Sequence, residues 1–307
     1  MSTLGRPAWY KPDTGLAARM VLTMFLLGAV YVVFAFVLGV FLHISWIVIA
    51  LIAVVIAGIQ FFSADKIALS SMRARIVSEQ EKPQLHELIG RLAAQANLPK
   101  PRVAWVDTSI PNAFATGRDK NHAVVCVTSA LYQQLSPPEL EAVLAHELTH
   151  IINRDMLVMT IAAFFSMVAA LIVQNFFWIG GGYGRGRGNQ SNFALILLAS
   201  VITYAVSFVL IRTLSRYREL AADRGSALIT GAPEHLATAL TKISGMASSS
   251  RIPERDFRQA QTVNALFIVP TLKRNSFQAL LSTHPSLEER LAQLQKMQAQ
   301  MEQAHPN

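Results

Sequence analysis

Two histidines four residues apart could hold one metal ion. His146 and His150 enclose Glu147 in the segment His-Glu-Leu-Thr-His, and residues i and i+4 of a helix lie on the same face. Zinc accepts imidazole nitrogens at about 2.0–2.1 Å, and a catalytic zinc has three protein ligands and an open position for water. The metal lowers the pKa of that water to about 7. Glu147, which flanks the histidines, would then be its general base.

The alternative for this segment is an ordinary amphipathic helix that carries His and Glu on its surface. The preceding residues Ser136-Pro-Pro-Glu139 combine a capping box with prolines in the first turn, and both features mark the start of a helix. We expect this helix to run from Pro137 to about Ile152 and to end at a polar break, residues 153–155. Its remaining face is largely apolar, which favours the metal site: Leu140, Val143, Leu144, Leu148 and Ile151.

A third metal ligand is expected downstream, where few carboxylates occur. Glu219 and Asp223 are four residues apart on a predicted helix, so their side chains share one face. If Glu219 binds the metal, Asp223 can accept a hydrogen bond from a ligand histidine, as carboxylates around metal sites commonly do. The alternative is a helix-surface pair whose ionic partners are Arg216 or Arg224.

The residues before the metal helix predict a small sheet. Segments 102–107 and 122–128 are strand-like, and Asn112-Ala-Phe-Ala-Thr-Gly117 lies between them, followed by a turn. We interpret 113–128 as a β-hairpin beside the metal helix. Asn112 and Ala113 would then begin an edge strand that pairs with the backbone of a substrate; the alternative is a plain strand and its turn.

The composition is that of a membrane protein. The chain is 52% hydrophobic and 15% charged, whereas soluble proteins are roughly 25% charged. Residues 20–62 contain no Asp, Glu, Lys or Arg and are too long for one helix across a hydrocarbon core of about 30 Å, so they predict two spans with a hairpin near Gly39–Ser45. The uncharged stretches 156–179 and 193–211 predict a third and a fourth span.

The net charge of +8 indicates the orientation of these spans. Basic residues flank the first hairpin and follow the fourth stretch, and the positive-inside rule places such segments in the cytoplasm. Both termini and the metal helix are therefore expected on the cytoplasmic side. The sequence has no basic patch interleaved with aromatic residues, so nothing in it suggests nucleic acid as a partner. The single cysteine, Cys126, excludes an intramolecular disulfide and a Cys-based zinc site.

Four segments carry a combined signal: His146-Glu-Leu-Thr-His150 with Asn153 and Asp155, Asn112-Ala-Phe-Ala-Thr-Gly117, Ser215-Arg-Tyr-Arg-Glu-Leu-Ala-Ala-Asp223 and Thr283-His-Pro-Ser-Leu-Glu-Glu-Arg290. Together, and in this order and spacing, they resemble the HtpX-type membrane zinc metalloproteases, and the resemblance extends from the first hairpin to about Leu294.

The resemblance implies a gluzincin with one zinc ion per subunit on His146, His150 and Glu219, and with Glu147 as the base. It also implies a cytoplasm-facing endopeptidase that acts on misfolded or damaged membrane proteins during quality control of the bacterial envelope. In this interpretation His284 would stabilise the oxyanion of the reaction. The alternative is that His284 only lies beside the N-terminus of the final helix.

The expected fold is α+β and mostly helical, an integral membrane protein with about four hydrophobic helices and a zincin-like metalloprotease domain. The expected segments are a basic cytoplasmic tail (1–19), a transmembrane hairpin (20–62), the first part of the protease domain with the metal helix (63–155), two further hydrophobic helices (156–211) joined by a Gly/Arg loop (180–192), and the second part of the protease domain with the third ligand (212–307).

Three other functions fit part of the pattern. An intramembrane metalloprotease would take an Asp ligand from a later span, whereas the candidate here is a Glu in an arginine-rich segment. A prenyl-protein peptidase would have more spans around a chamber. A non-catalytic scaffold with structural zinc would need a fourth protein ligand, and the intact Glu147 argues against it.

Overall fold

The computed structural model describes residues 13–42, 46–174, 189–247 and 284–304. Two compact units alternate along the chain. One comprises Thr14–Phe62 and Val158–Ser215, and we call it the helical unit. The other comprises Met1–Asp13, Ser63–Leu157 and Arg216–Asn307, and we call it the sheet unit.

The helical unit consists mainly of long apolar helices. They are α1 (Thr14–Leu42), α2 (Trp46–Ser71), α6 (Asp155–Gln174) and α7 (Asn189–Thr230). The last residues of α2 and α7 and the first of α6 belong to the sheet unit. Tyr31 of α1 donates a hydrogen bond to the carbonyl of Ala162 in α6, so a polar contact joins these two helices inside an apolar cluster.

By length and composition, two described segments could cross a membrane, Thr14–Phe41 and Ala194–Thr230. A third candidate is the pair Val54–Ser63 and Asp65–Ser71, which is bent by 50°. The expectation of a membrane protein is therefore confirmed, while a set of four spans stays a prediction. The expected hairpin turn at Gly39–Ser45 and the Gly/Arg loop lie partly outside the described residues, which omit 43–45 and 175–188.

The sheet unit contains a four-stranded sheet of order β1-β2-β4-β3. The strands are β1 (Arg75–Ile76), β2 (Arg102–Val106), β3 (Ala113–Thr116) and β4 (Val124–Thr128). β2 runs parallel to β4, whereas β3 pairs antiparallel to β4 with Ala113 opposite Val127. The expected hairpin is confirmed, and β3 is an edge strand of this sheet.

The strand expected to begin at residue 122 begins at Val124, and this part of the prediction is wrong. Residues Lys120–His122 form a 3-10 turn instead. The cause is Asp119, whose carboxylate accepts hydrogen bonds from the backbone N–H groups of Asn121 and His122 at 2.8 and 3.0 Å. A short acidic side chain thus satisfies donors that a strand ladder would otherwise need.

Five described helices of the sheet unit pack on the sheet or on one another. They are α3 (Pro83–Gln95), α4 (Ser129–Gln134), α5 (Pro137–Ile152), α8 (Pro233–Ala247) and α9 (Leu287–Ala304). Leu144 and Leu148 of α5 are fully buried in the largest apolar cluster, and each such side chain stabilises the fold by about 1.5–3 kcal/mol.

The metal helix α5 has the predicted limits, Pro137 and Ile152. Glu139 accepts a hydrogen bond from the N–H of Ser136 at 2.8 Å, as the capping box requires. Its carboxylate also accepts one from Lys242 of α8 at 2.8 Å. The start of the helix is therefore fixed both locally and by a neighbouring helix.

Cys126 in β4 is fully buried, and burial raises the pKa of its thiol to about 12. Because a raised pKa keeps the thiol protonated to higher pH, we expect no appreciable reaction with a thiol reagent in the folded protein from pH 7 to pH 10. One thiol per chain should react after denaturation, since the chain has one cysteine. Rapid labelling of the folded protein would contradict this placement.

Candidate metal centre

Three side chains of the sheet unit converge on one point. His146 and His150 come from successive turns of α5, and Glu219 comes from α7. One potential ligand atom from each lies within 4.8 Å of the others. Glu219 is 8% exposed and Asp223 is fully buried, so the alternative of a surface ion pair at these two carboxylates is wrong.

The separations between these atoms fit a small metal ion. The two Nε2 atoms of His146 and His150 are 3.2 Å apart. Each lies 3.5 Å from an oxygen of Glu219. Ligands at about 2.0–2.1 Å around a tetrahedral ion are roughly 3.4 Å from one another. Two imidazoles and a carboxylate at this spacing could therefore hold zinc or a similar divalent ion.

Asp223 sets the orientation of the His146 ring. The Nδ1 atom of His146 is 2.9 Å from Oδ1 of Asp223, which leaves Nε2 directed at Glu219. Arg290 of α9 donates to both oxygens of Asp223, at 2.8 and 2.5 Å. A carboxylate held in this way fixes the tautomer and the direction of a ligand histidine.

The protonation of His146 follows from these neighbours. Burial opposes a charge on the ring, but hydrogen bonds to Asp223 and Glu219 outweigh it and raise the pKa of His146 to about 9. A metal needs the neutral imidazole, so binding to the metal-free protein would release a proton.

His150 has a different carboxylate partner. Its Nδ1 atom is 2.6 Å from Oδ2 of Asp155, the first residue of α6. The Nε atom of Arg218 is 2.9 Å from Oδ1 of Asp155. Burial opposes the charge of Asp155, but Arg218 and His150 outweigh it and hold the pKa of its carboxyl below the ordinary value. In the sequence, Asp155 belongs to the polar break after α5 and to the resembling motif, but no role at the metal centre was predicted for it.

Glu147 faces the edge strand. Its Oε2 atom accepts a hydrogen bond from the N–H of Ala115 in β3 at 2.8 Å. Burial raises the pKa of Glu147, because the charged carboxylate has lost its water. A carboxylate with a raised pKa is a stronger base near neutral pH.

The other predicted site residues lie at different places. His284 is buried, and its Nδ1 atom is 3.3 Å from Oε2 of Glu219, so it belongs to the same cluster. Asn112 and Ala113 are buried at the start of β3. The N–H of Asn112 donates to Oγ1 of Thr128 at 2.8 Å, a contact that ties this segment to β4.

A shallow cleft lies beside His150. The end of β3 and the turn after it form one wall, and the end of α5 with the start of α6 forms the other. Residues that line it include Ala115, Gly117, Lys120, Arg154 and Leu157. The cleft therefore lies at the end of β3, next to one of the candidate metal ligands.

The position of Glu219 depends on how closely α7 approaches α5. A Cβ atom built on Gly225 would lie 2.2 Å from Cγ2 and 2.4 Å from Oγ1 of Thr149. One residue further, Ser226 donates a hydrogen bond to the carbonyl of Ala142 at 2.7 Å. Close contacts of this kind require a glycine at the crossing.

We therefore expect Gly225→Ala to lower the free energy of unfolding of the metal-free protein by about 1–3 kcal/mol, the usual cost of overpacking. The added Thr149→Ala substitution removes the two nearest atoms and should recover part of the loss. Thermal unfolding of the two variants in detergent measures both the loss of stability and its recovery. A Gly225→Ala variant as stable as the wild type would show that the helices are not this close.

Comparisons with known proteins show the family to which the chain belongs. Residues 79–298 match Peptidase family M48. The Protease HtpX homolog of Moorella thermoacetica is 55% identical over 293 residues, which cover 95% of this chain and 97% of that protein. The Protease HtpX homolog 1 of Streptomyces coelicolor is 45% identical over 298 residues, with 96% and 97% covered.

The crystal structure of S. mikatae Ste24p has a similar fold. Its TM-score is 0.54 at 18% sequence identity, and the match covers 92% of this chain and 67% of that one. The match to Peptidase family M48, together with the apolar helices, identifies the class of protein as a membrane metallopeptidase. The chain belongs to peptidase family M48, and within it to the HtpX-type proteases.

Proposed function

We propose that this protein is a zinc-dependent endopeptidase that hydrolyses peptide bonds in misfolded or damaged membrane proteins. The observation that carries the proposal is the convergence of His146, His150 and Glu219 beside Glu147, whose carboxylate lies against an edge strand. The donor set of two imidazoles and one carboxylate is typical of catalytic zinc. One zinc ion per subunit would be held by these three residues.

Zinc bound there would polarise the scissile carbonyl and make a bound water acidic. Glu147 would take a proton from that water and later give it to the leaving amine. Its contact with Ala115 uses Oε2, so Oε1 is the atom that we assign to the proton. The hydrogen bond from Ala115 holds the carboxylate in place beside the cleft.

The edge strand β3 is the proposed binding surface for the substrate backbone. In an antiparallel ladder, alternate residues turn their N–H and C=O groups away from the partner strand. The N–H of Ala115 points away from β4, toward Glu147, so that of Ala113, two residues earlier, faces the same side of the strand. Ala113 would pair with an extended substrate, while Asn112 fixes the start of the strand through Thr128.

His284 is proposed to stabilise the oxyanion that develops on the scissile carbonyl. Its Nδ1 atom faces Glu219, and Nε2 would donate to the developing charge. We further propose that both termini and the metal centre are cytoplasmic and that four helices span the membrane, with the segment boundaries derived from the sequence.

A non-catalytic scaffold is the competing function, and it would require a closed metal site with four protein ligands. Among the described residues, the potential metal group has three members, His146, His150 and Glu219. A site with three protein ligands leaves a position for water. The geometry therefore favours the peptidase.

The test is casein cleavage by the full chain purified in detergent, with bound zinc measured in the same samples. We expect Glu219→Gln to lose both zinc and cleavage. Glu141→Gln is the matched control, because Glu141 lies on α5 but pairs with Arg91 at 2.9 Å; it should retain both. Zinc binding by the wild type without cleavage of any unfolded protein would support the scaffold instead.

A further inference from the structure

We propose that Asp155 and Arg218 form an orienting pair for the metal centre. Arg218 fixes the carboxylate of Asp155, and Asp155 fixes the ring of His150 with its Nε2 atom toward the metal position. This inference rests on the metal site of the proposed function. It adds two positioning residues to the ligand set.

The contacts leave the His150 ring little freedom. One oxygen of Asp155 lies 2.6 Å from Nδ1 of His150, and the other lies 2.9 Å from Nε of Arg218. Asp155 is 2% exposed and Arg218 is 7% exposed, so water cannot easily replace either partner. A rotation of the imidazole would leave a buried carboxylate oxygen without its donor, which is costly.

The arrangement repeats the one at the first histidine. His146 contacts Asp223, which is held by Arg290. Both ligand rings thus use Nδ1 for a carboxylate that an arginine anchors, and both present Nε2 to Glu219. Each pair has one member on α7, Asp223 or Arg218, and the other members come from different helices, since α9 supplies Arg290 whereas α6 supplies Asp155.

The position of Arg218 in the chain explains how one helix serves two ligands. Arg218 directly precedes Glu219 in α7, and neighbours on a helix point about 100° apart. Glu219 faces the metal position, and Arg218 reaches around it to Asp155. Asp155 lies in the first turn of α6, where the helix dipole favours a negative charge. Docking of α7 therefore fixes the third ligand and the second histidine together.

A carboxylate behind a ligand histidine fixes its tautomer and raises its basicity, and its loss typically costs about 10–100-fold in metal affinity. We therefore expect Asp155→Ala to weaken zinc binding by about that factor. Arg218 acts through Asp155. Loss of Arg218 should therefore weaken zinc binding less than loss of Asp155. Arg218→Lys should keep more zinc affinity than Arg218→Gln, because an ammonium group can still reach the carboxylate.

The measurement is the zinc dissociation constant of the full chain in detergent, obtained by competition with a chelator. The diagnostic sample is the double variant Asp155→Ala/Arg218→Gln. If Arg218 acts only through Asp155, the double variant binds zinc as Asp155→Ala does, within about twofold. The matched control is Asp65→Ala, which breaks a carboxylate–arginine pair with Arg102 at 3.2 Å in the same unit and should leave the affinity unchanged.

Thermal unfolding of the metal-free variants shows whether they fold. The proposal is overturned if folded Asp155→Ala binds zinc as tightly as the wild type. It is also overturned if the fold-loss of zinc affinity in the double variant equals the product of the fold-losses in the two single variants. If Asp155→Ala does not fold, unchanged affinity in Arg218→Gln overturns it. Cleavage is not used in this assay, so a protein that binds zinc but cuts nothing would refute only the proposed function. A wild type that binds no zinc would refute both.

Discussion

Replacing Glu147 by Gln is expected to reduce kcat for peptide hydrolysis by about 10²–10⁴-fold, the usual contribution of a general base. The amide cannot accept the proton of the attacking water, whereas His146, His150 and Glu219 keep their positions. Zinc content should therefore stay at the level of the wild type. The measurement is the initial rate of casein cleavage, with the metal in the same samples determined by elemental analysis.

Glu139→Gln serves as a comparison for this variant, because Glu139 is another buried carboxylate of α5. It contacts Ser136 and Lys242, so its loss should affect stability and leave the rate per folded molecule near that of the wild type. A Glu147→Gln variant that retains most of its activity at full zinc content would remove Glu147 from the mechanism.

Replacing Arg290 by Met is expected to destabilise the metal-free protein by about 3–5 kcal/mol, the typical cost of removing one partner of a buried ion pair. The guanidinium donates two hydrogen bonds to Asp223 and lies 3.6 Å from Oε2 of Glu219. Without it, two buried carboxylates keep their charges with less compensation. Thermal or denaturant unfolding in detergent, with the metal removed, measures the loss.

Arg91→Met provides the same chemical change at a surface site. Arg91 pairs with Glu141 at 2.9 Å with half of its side chain exposed, and such pairs contribute about 0–1 kcal/mol. Equal stability losses in the two variants would mean that the buried network around Asp223 adds nothing beyond an ordinary surface contact.

The sequence alone predicted the metal helix and the hairpin because their signals are local. The capping box at Ser136 and Glu139 marks the first turn of α5, and the turn residues after Gly117 mark the hairpin. The spacing of His146 and His150 places both on one helix face. Glu219 and Asp223 were found by the same rule, although the alternative of a surface pair was closed only by their burial in the folded protein.

Apart from Asp223, the network behind the candidate ligands could not be predicted in this way. Arg290 lies 67 positions after Asp223, and no pattern in the sequence connects them. Asp155 lies five positions after His150 but beyond the end of α5, so its direction depends on how α6 begins. Arg218 adjoins Glu219, yet a neighbour in a helix can point to solvent or to the core. Only the packing of α7 against α5 decides which.

The most direct test of the central claim is a zinc titration of the metal-free wild type, with cleavage of casein and bound zinc followed together. We expect cleavage to be absent without metal, to rise in proportion to bound zinc and to reach its maximum at one ion per chain. The His146→Ala variant should show neither tight zinc binding nor cleavage over the same range. Full cleavage by the metal-free protein, or by His146→Ala, would contradict the assignment of this centre as the site of peptide hydrolysis.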